Sequence, residues 1–368
     1  MGAEASDANS KGASAALSPF EQLKNNLGQE WPEITAARGR TAEVDTDLRT
    51  ICASLEVPQE TGVVAFGSLA RDEWTSGSDV DWAFLVDGQA DPEHFRLEQL
   101  IAETIRDTKY VKPGDTGTFA AMVSSHELIH YVGGTEDSNQ NLTRRILLLL
   151  ESTSLTDPVV HERVVKAILK RYIVCDPAVS SLDQRPFRVP RFLLNDMVRY
   201  WRTVAVDYAS KKWQQREKKW ALRNVKLRMS RKLFFVKGLL ICFDCELNPD
   251  GYALPEEADS EVAEAILATR CFHLSRMTPL DLLCSTLLER CGRETAEKIV
   301  SAYDSFLGKL HDEQIRVHLE RLRFEESSSD SIFQDMREIS HAFRDGLDRL
   351  FFDENEQLCA LTRKYGVF

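Results

Sequence analysis

The sequence predicts an α+β protein, a small mixed-sheet domain followed by an all-helical one. Three observations carry this. Strand-like apolar runs occur only before about residue 125, helical periodicity dominates after about Leu142, and 368 residues suit two domains better than one.

Residues 1–17 are rich in Ala, Ser, Gly and Lys and lack large apolar groups apart from Leu17, so they read as a disordered tail. Folded structure is expected from Ser18-Pro19, where Ser18 caps a helix, Pro19 takes its first position and Glu21 completes a capping box. Thr61 to Phe66 reads as a strand ending at Gly67-Ser68, and Val80 to Val86 as a second. Phe95, Leu97, Leu100, Ile101 and Ile105 recur at helical spacing, and a third strand is expected over Thr118 to Val123. These elements form the first domain, residues 18–157. Residues 158–368 form the helical one, with helices from Phe192 toward Asp207, over Trp220 to Phe243, and several more over 256–364, broken at Thr278-Pro279 and Ser327 to Ser331.

The formal charge of −12 argues against general affinity for nucleic acid. Between Arg188 and Lys237, however, basic residues outnumber the only acids, Asp196, Asp207 and Glu217. The eight cysteines are scattered and read as reduced thiols of a cytoplasmic protein; Cys242 and Cys245 form a C-x-x-C without a second pair, inside an apolar helix. No apolar run reaches membrane-spanning length.

One stretch concentrates chemistry: Phe66-Gly67-Ser68-Leu69-Ala70-Arg71-Asp72-Glu73-Trp74-Thr75-Ser76-Gly77-Ser78-Asp79-Val80-Asp81-Trp82, between two strands. A strand ending in Gly-Ser admits a phosphate close to the backbone, and a following helix would aim its N-terminal amides at it. Asp79 and Asp81 alternate along a strand, so both carboxylates face one side and can share a hard cation. Glu73 and Thr75 suit turn stabilisation and nucleotide contact equally.

This string resembles the signature of the polymerase β nucleotidyltransferase superfamily, G-S followed by D-x-D. Its fuller form, with Arg71, Glu73, Thr75 and Ser78, is most similar to the branch of the bacterial nitrogen-regulatory uridylyltransferases and glutamine synthetase adenylyltransferase. Asn141 to Ser152, with its leucine run, is similar to a helix of the uridylyltransferases. The resemblance implies a cytoplasmic enzyme that transfers a nucleoside monophosphate from a nucleoside triphosphate such as ATP. Asp79 and Asp81 would hold Mg2+, or Mn2+ in its place. Gly67, Ser68, Arg71, Thr75 and Ser78 would bind nucleotide, and a third carboxylate would come from Asp115, with Asp107 the alternative. A chain of this length has no room for the hydrolase and sensing domains of the uridylyltransferases, so reversal is not expected.

The superfamily places Lys or Arg of a helical domain on the triphosphate. Asn195, Arg199 and Arg202 share one helix face, and Arg223, Lys226 and Ser230 form a second polar stripe; Arg199 and Arg202 are the expected phosphate ligands. A protein is the expected acceptor. A synthase of a nucleotide signal, transfer to RNA and a non-catalytic nucleotide-binding module are the alternatives. Trp201, Trp213 and Trp220 among the basic residues are what admit RNA, though their spacing also suits the core.

Overall fold

The computed structural model describes residues 17–112, 118–176, 187–214, 219–253, 255 and 259–366, with 211–214 by backbone alone. Helix α1 (Pro19–Leu27) starts as its sequence dictates: the Ser18 hydroxyl accepts from the Glu21 amide at 3.2 Å. It stops at Gly28, whose φ of 59° suits glycine. Helix α2 (Pro32–Ala53) follows. Strands β1 (Thr61–Phe66) and β2 (Trp82–Val86) pair antiparallel, Thr61 opposite Val86 and Ala65 opposite Trp82.

Helix α3 (Glu93–Arg106) then leads to β3 (Ala121–Ser124), parallel to β2. Helices α4 (Ser125–His130) and α5 (Asn139–Leu150) lead to β4 (Ser152–Ser154), antiparallel to β1, and the four-stranded sheet runs β3-β2-β1-β4. Every residue of β1 and β2 is buried, which is why apolar side chains dominate both; β2 starts at Trp82, two residues after the expected Val80.

Helices fill the remainder: α6 (Pro158–Val174), α7 (Arg191–Gln214), α8 (Trp220–Arg228) and α9 (Ser230–Leu247). After them come α10 (Ser260–Arg276), α11 (Pro279–Arg290), α12 (Arg293–His311) and α13 (Glu313–Arg321). The last two are α14 (Ser331–Arg349) and α15 (Glu356–Tyr365). One expected helix, Trp220 to Phe243, is two: Met229, at φ −110° and ψ −92°, leaves the helical region without any Gly or Pro to announce it. The expected break at Thr278-Pro279 is present, with the Thr278 hydroxyl accepting from the Asp281 amide at 3.1 Å.

The main apolar core runs from Phe20 and Trp31 through Leu147 to Phe343 and Leu361, and a smaller one, around Leu48, Val63, Trp82 and Ile101, fills the sheet's other face. The first two helices therefore dock on the helical half. Asp304 of α12 accepts from the Glu33 and Ile34 amides, both at 2.9 Å, capping α2 from 270 residues away. Trp31 Nε1 donates to Ser301 Oγ at 3.0 Å. The division expected after residue 157 falls at the N-cap of α6, where Asp157 accepts from the Val159 amide, while the packing passes across it. Cys242 and Cys245 are buried in α9, as their apolar flanks predicted. Among the described residues no helix is long and apolar enough to cross a membrane.

Candidate active site

The site begins where β1 ends. Gly67 has a φ of 70°, and a Cβ there would lie 3.0 Å from Asp81 Oδ2, so glycine keeps both the turn and the carboxylate in place. The helix expected after Ser68 does not form. Residues 67–72 make successive turns, with the Arg71 amide donating to Gly67 O at 3.1 Å and the Glu73 amide to Ser68 O at 2.9 Å. Asp72, at φ 60°, then turns the chain back so that the Trp74 amide reaches Thr41 Oγ1 of α2 at 3.1 Å.

Asp79 and Asp81 lie just before β2 in extended chain. The Val80 amide donates to Val111 O at 2.9 Å, and the Phe66 amide to Asp81 O at 2.8 Å. Val80 is fully buried between the two half-buried carboxylates, the alternation the sequence predicts. Burial, and then the neighbouring Asp79 charge, push Asp81 up to about 7. The connection before them closes on itself: the Thr75 amide donates to Ser78 Oγ at 3.0 Å, and the Ser78 amide to Thr75 O at 3.0 Å. Thr75 and Ser78 thus hold the turn that presents Asp79.

Arg71 is buried beneath the turn. Its Nε donates to Glu73 Oε2 at 2.8 Å and its Nη1 sits 2.8 Å from Glu151 Oε2. Glu73 also accepts from the Tyr303 hydroxyl of α12 at 2.6 Å, and Glu151 from Arg231 Nη1 of α9 at 3.3 Å. Burial opposes the Glu151 carboxylate, but the Arg71 and Arg231 charges outweigh it and hold it below the ordinary carboxylate range. Glu73 is therefore a structural link between the two halves of the chain.

Across from the carboxylates stand Lys226 of α8 and Ser230 and Arg231 of α9, with Phe306, Leu307 and Leu310 of α12 closing a cleft of about 140 Å³. Burial, and then the Arg316 charge, lower Lys226 to about 8, with Asp79 acting against them. The Asp79 loop is fastened to the same side: the Ser76 amide donates to His311 Nδ1 at 3.2 Å and Ser76 Oγ to His311 O at 2.8 Å. A Cβ at Gly77 would run into the Arg316 side chain.

Gly67, Ser68, Arg71, Thr75, Ser78, Asp79 and Asp81 all line this cleft, together with Lys226 and Ser230 of the polar stripe. Arg199 and Arg202 do not. They line a groove on α7, and Arg199 is occupied by Asp137, with Nη1 2.8 Å from Oδ2 and Nη2 donating to Asp137 O at 2.8 Å. Helical spacing told which residues share a face, not which neighbour that face meets. Asp107 is exposed at the C-cap of α3, and Asp115 lies outside the described residues. Trp220 is buried, its Nε1 donating to Leu322 O at 2.7 Å, and the Trp213 side chain is outside the described residues. Arg231, Glu151, Tyr303 and Arg316 went unnoticed in the sequence, since each meets the site only through tertiary packing.

Two oxygen-donating carboxylates beside open cleft suit a hard divalent cation, which would offset the burial and the Asp79 repulsion that raise Asp81. No group of three or more His, Cys, Asp or Glu converges among the described residues. The two further acids nearby are committed elsewhere, Glu73 to Arg71 and Tyr303 and Glu151 to two guanidiniums.

Residues 46–120 match the family model of the nucleotidyltransferase domain. The match spans about a fifth of the chain, from the second half of α2 to the approach to β3, and contains both aspartates and the Gly-Ser turn. It supports a polymerase β-like nucleotidyltransferase domain at this position, and with it transfer of a nucleoside monophosphate in general. The helical wall carrying Lys226 and Arg231 lies outside the matched segment. No curated protein matches the chain.

Proposed function

We propose that the cleft transfers a nucleoside monophosphate from a magnesium-bound nucleoside triphosphate, ATP among the candidates, to an acceptor hydroxyl with release of pyrophosphate. The observation that carries this reading is the opposition of Asp79 and Asp81 to Lys226 and Arg231 across one cleft, with a Gly-Ser turn beside them. The turn leaves backbone and the Ser68 hydroxyl open to phosphate oxygens. Lys226 and Arg231 supply the cationic side of a triphosphate site, with Ser230 as a further donor. Asp79 and Asp81 hold the cation, and a divalent ion bound there supplies charge neutralisation at the phosphates and acidifies the attacking hydroxyl. The acceptor hydroxyl would pass its proton to one of the two carboxylates as its oxygen bonds to the α-phosphorus, the bond from that phosphorus to the α,β-bridging oxygen breaks and pyrophosphate leaves. Buried Arg71, Glu73 and Glu151 act indirectly, by fixing the turn and the Arg231 guanidinium.

Within the superfamily we place the chain beside the uridylyl- and adenylyltransferases, on the string from Gly67 to Asp81, and a protein hydroxyl as acceptor follows from that kinship. The test is incubation with each α-labelled nucleoside triphosphate, magnesium and cell lysate, alongside Asp79→Ala/Asp81→Ala. Label on a protein that vanishes in the variant is the expected result. A small labelled product formed without lysate would replace the proposal with a nucleotide-signal synthase; label on RNA would reassign the acceptor. No magnesium-dependent nucleotide binding at all would overturn catalysis here.

A further inference from the structure

On the surface where α8, α9 and α14 meet, Arg228, Lys232 and Arg337 gather without a carboxylate partner among the described residues. Arg337 and Arg344 lie at i and i+7 on one face of α14, which packs against α8; burial, and then the Arg344, Arg228 and Arg337 charges, lower His341 between them and disfavour its protonation. Arg228 at the end of α8 feels both arginines, its guanidinium lowered by burial first and then by Arg337 and Arg344. Lys232, one turn into α9, is lowered by burial, against the pull of Asp348, and then by Arg344 and Arg228. Asp345 and Asp348 are also here, but Arg344 engages both, at 3.0 and 3.8 Å, and Lys298 reaches Asp345 at 3.9 Å. Arg228, Lys232 and Arg337 have no carboxylate within ion-pair distance among the described residues. Arg337 donates only to Gln334 Oε1, at 3.2 Å.

Lys232 is also the rim of a groove of about 600 Å³ beside Arg202. Aromatic rings line part of it: Trp201 stacks on Phe235 with centroids 5.2 Å apart and planes 24° from parallel, and Phe352, 41 % exposed, lines the same groove. Three cations without carboxylate partners near half-exposed flat rings meet the two needs of a polynucleotide strand, backbone charge and unpaired bases. A duplex would offer the charge but keep its bases from the rings. A mononucleotide would use the groove but not Arg228 and Arg337 as well.

We infer that the α8–α9–α14 surface and the adjoining Trp201 groove bind a single-stranded polynucleotide. The site is distinct from the carboxylate cleft and does not depend on transfer taking place there. It is tested by fluorescence anisotropy of the full chain with a labelled twelve-nucleotide oligo(U) at increasing salt. Binding should fall steeply with salt, and Arg228→Gln/Lys232→Gln/Arg337→Gln should weaken it at least tenfold and flatten the log–log salt slope by about 2, since each single-strand phosphate contact contributes about 0.7. Trp201→Ala should cost about tenfold through lost stacking. The triple variant, which removes no ion pair among the described residues and no apolar core side chain, should keep the fold and the wild-type affinity for magnesium nucleotide. Asp79→Ala/Asp81→Ala should bind the strand as the wild type does. No strand binding at low salt, unchanged affinity in the triple variant, equal affinity for a duplex, or full competition by UMP would each overturn the inference.

Discussion

Asp81 is held in a state that costs stability. Its carboxyl, moved from 3.8 to about 7 by burial and by Asp79, takes up a proton in the folded chain more readily than in the unfolded one. Between those values the folded state binds more protons, so stability falls as pH rises toward 7, and above 7 the full cost, on the order of a few kcal/mol, is present. Asp81→Asn removes it. Thermal melting without metal should show the variant several degrees more stable at pH 8 and level with the wild type near pH 4, while transfer drops at least a hundredfold. Equal melting at pH 8 would mean that burial and Asp79 do not burden the Asp81 carboxylate as described. That Gly67, Asp79 and Asp81 come together at one turn was readable from the sequence because they lie within fifteen residues of one another. Arg199 and Arg202 were misplaced because what they face is decided by Asp137 and the course of α7.

At the scale of elements, the site is a joint. The turn after β1, the end of α5, α9 and α12 meet through Arg71, Glu73, Glu151, Arg231 and Tyr303. Behind them Lys237 of α9 is fully buried, and its ammonium donates to Leu150 O at 2.7 Å, Ser275 O at 2.8 Å and Met277 O at 2.6 Å. One side chain thus caps the C-terminal ends of α5 and α10 and fixes the residue before Glu151. Lys237→Met should strand three carbonyls and cost about 3 kcal/mol in denaturant unfolding, a value near zero showing that they find other donors. None of this was legible: Glu151 read as the end of a leucine run and Lys237 as one more basic residue, since partners so distant leave no local pattern. The helices themselves were legible from caps and periodicity, the break at Met229 excepted.

For the whole molecule, the two halves share one core, and the cleft forms between them. His311 and Arg316 secure the loop that carries Asp79. Arg316→Ala, which leaves every cleft-lining side chain in place, should loosen that loop and lower kcat/KM about tenfold with a change of melting temperature under a few degrees; unchanged kinetics would show that the loop holds its shape unaided. The fold class was legible because strand-like apolar runs occur only in the first half, among helical segments, while helical periodicity alone persists through the second. The docking of α1 and α2 onto α11 and α12 was not, since apolar faces do not say whom they meet.

The Ser76–His311 fastening also bears on how such a protein can diversify. The segment that carries the recognisable string stops at residue 120, yet its shape is completed at residues 303, 311 and 316. Moved as a cassette into another chain, it would arrive without the struts that shape it. Recombination that exchanged the helical half would have to bring a new set of struts with it. Change of partner in this architecture is therefore easier along the rim than by trading whole halves.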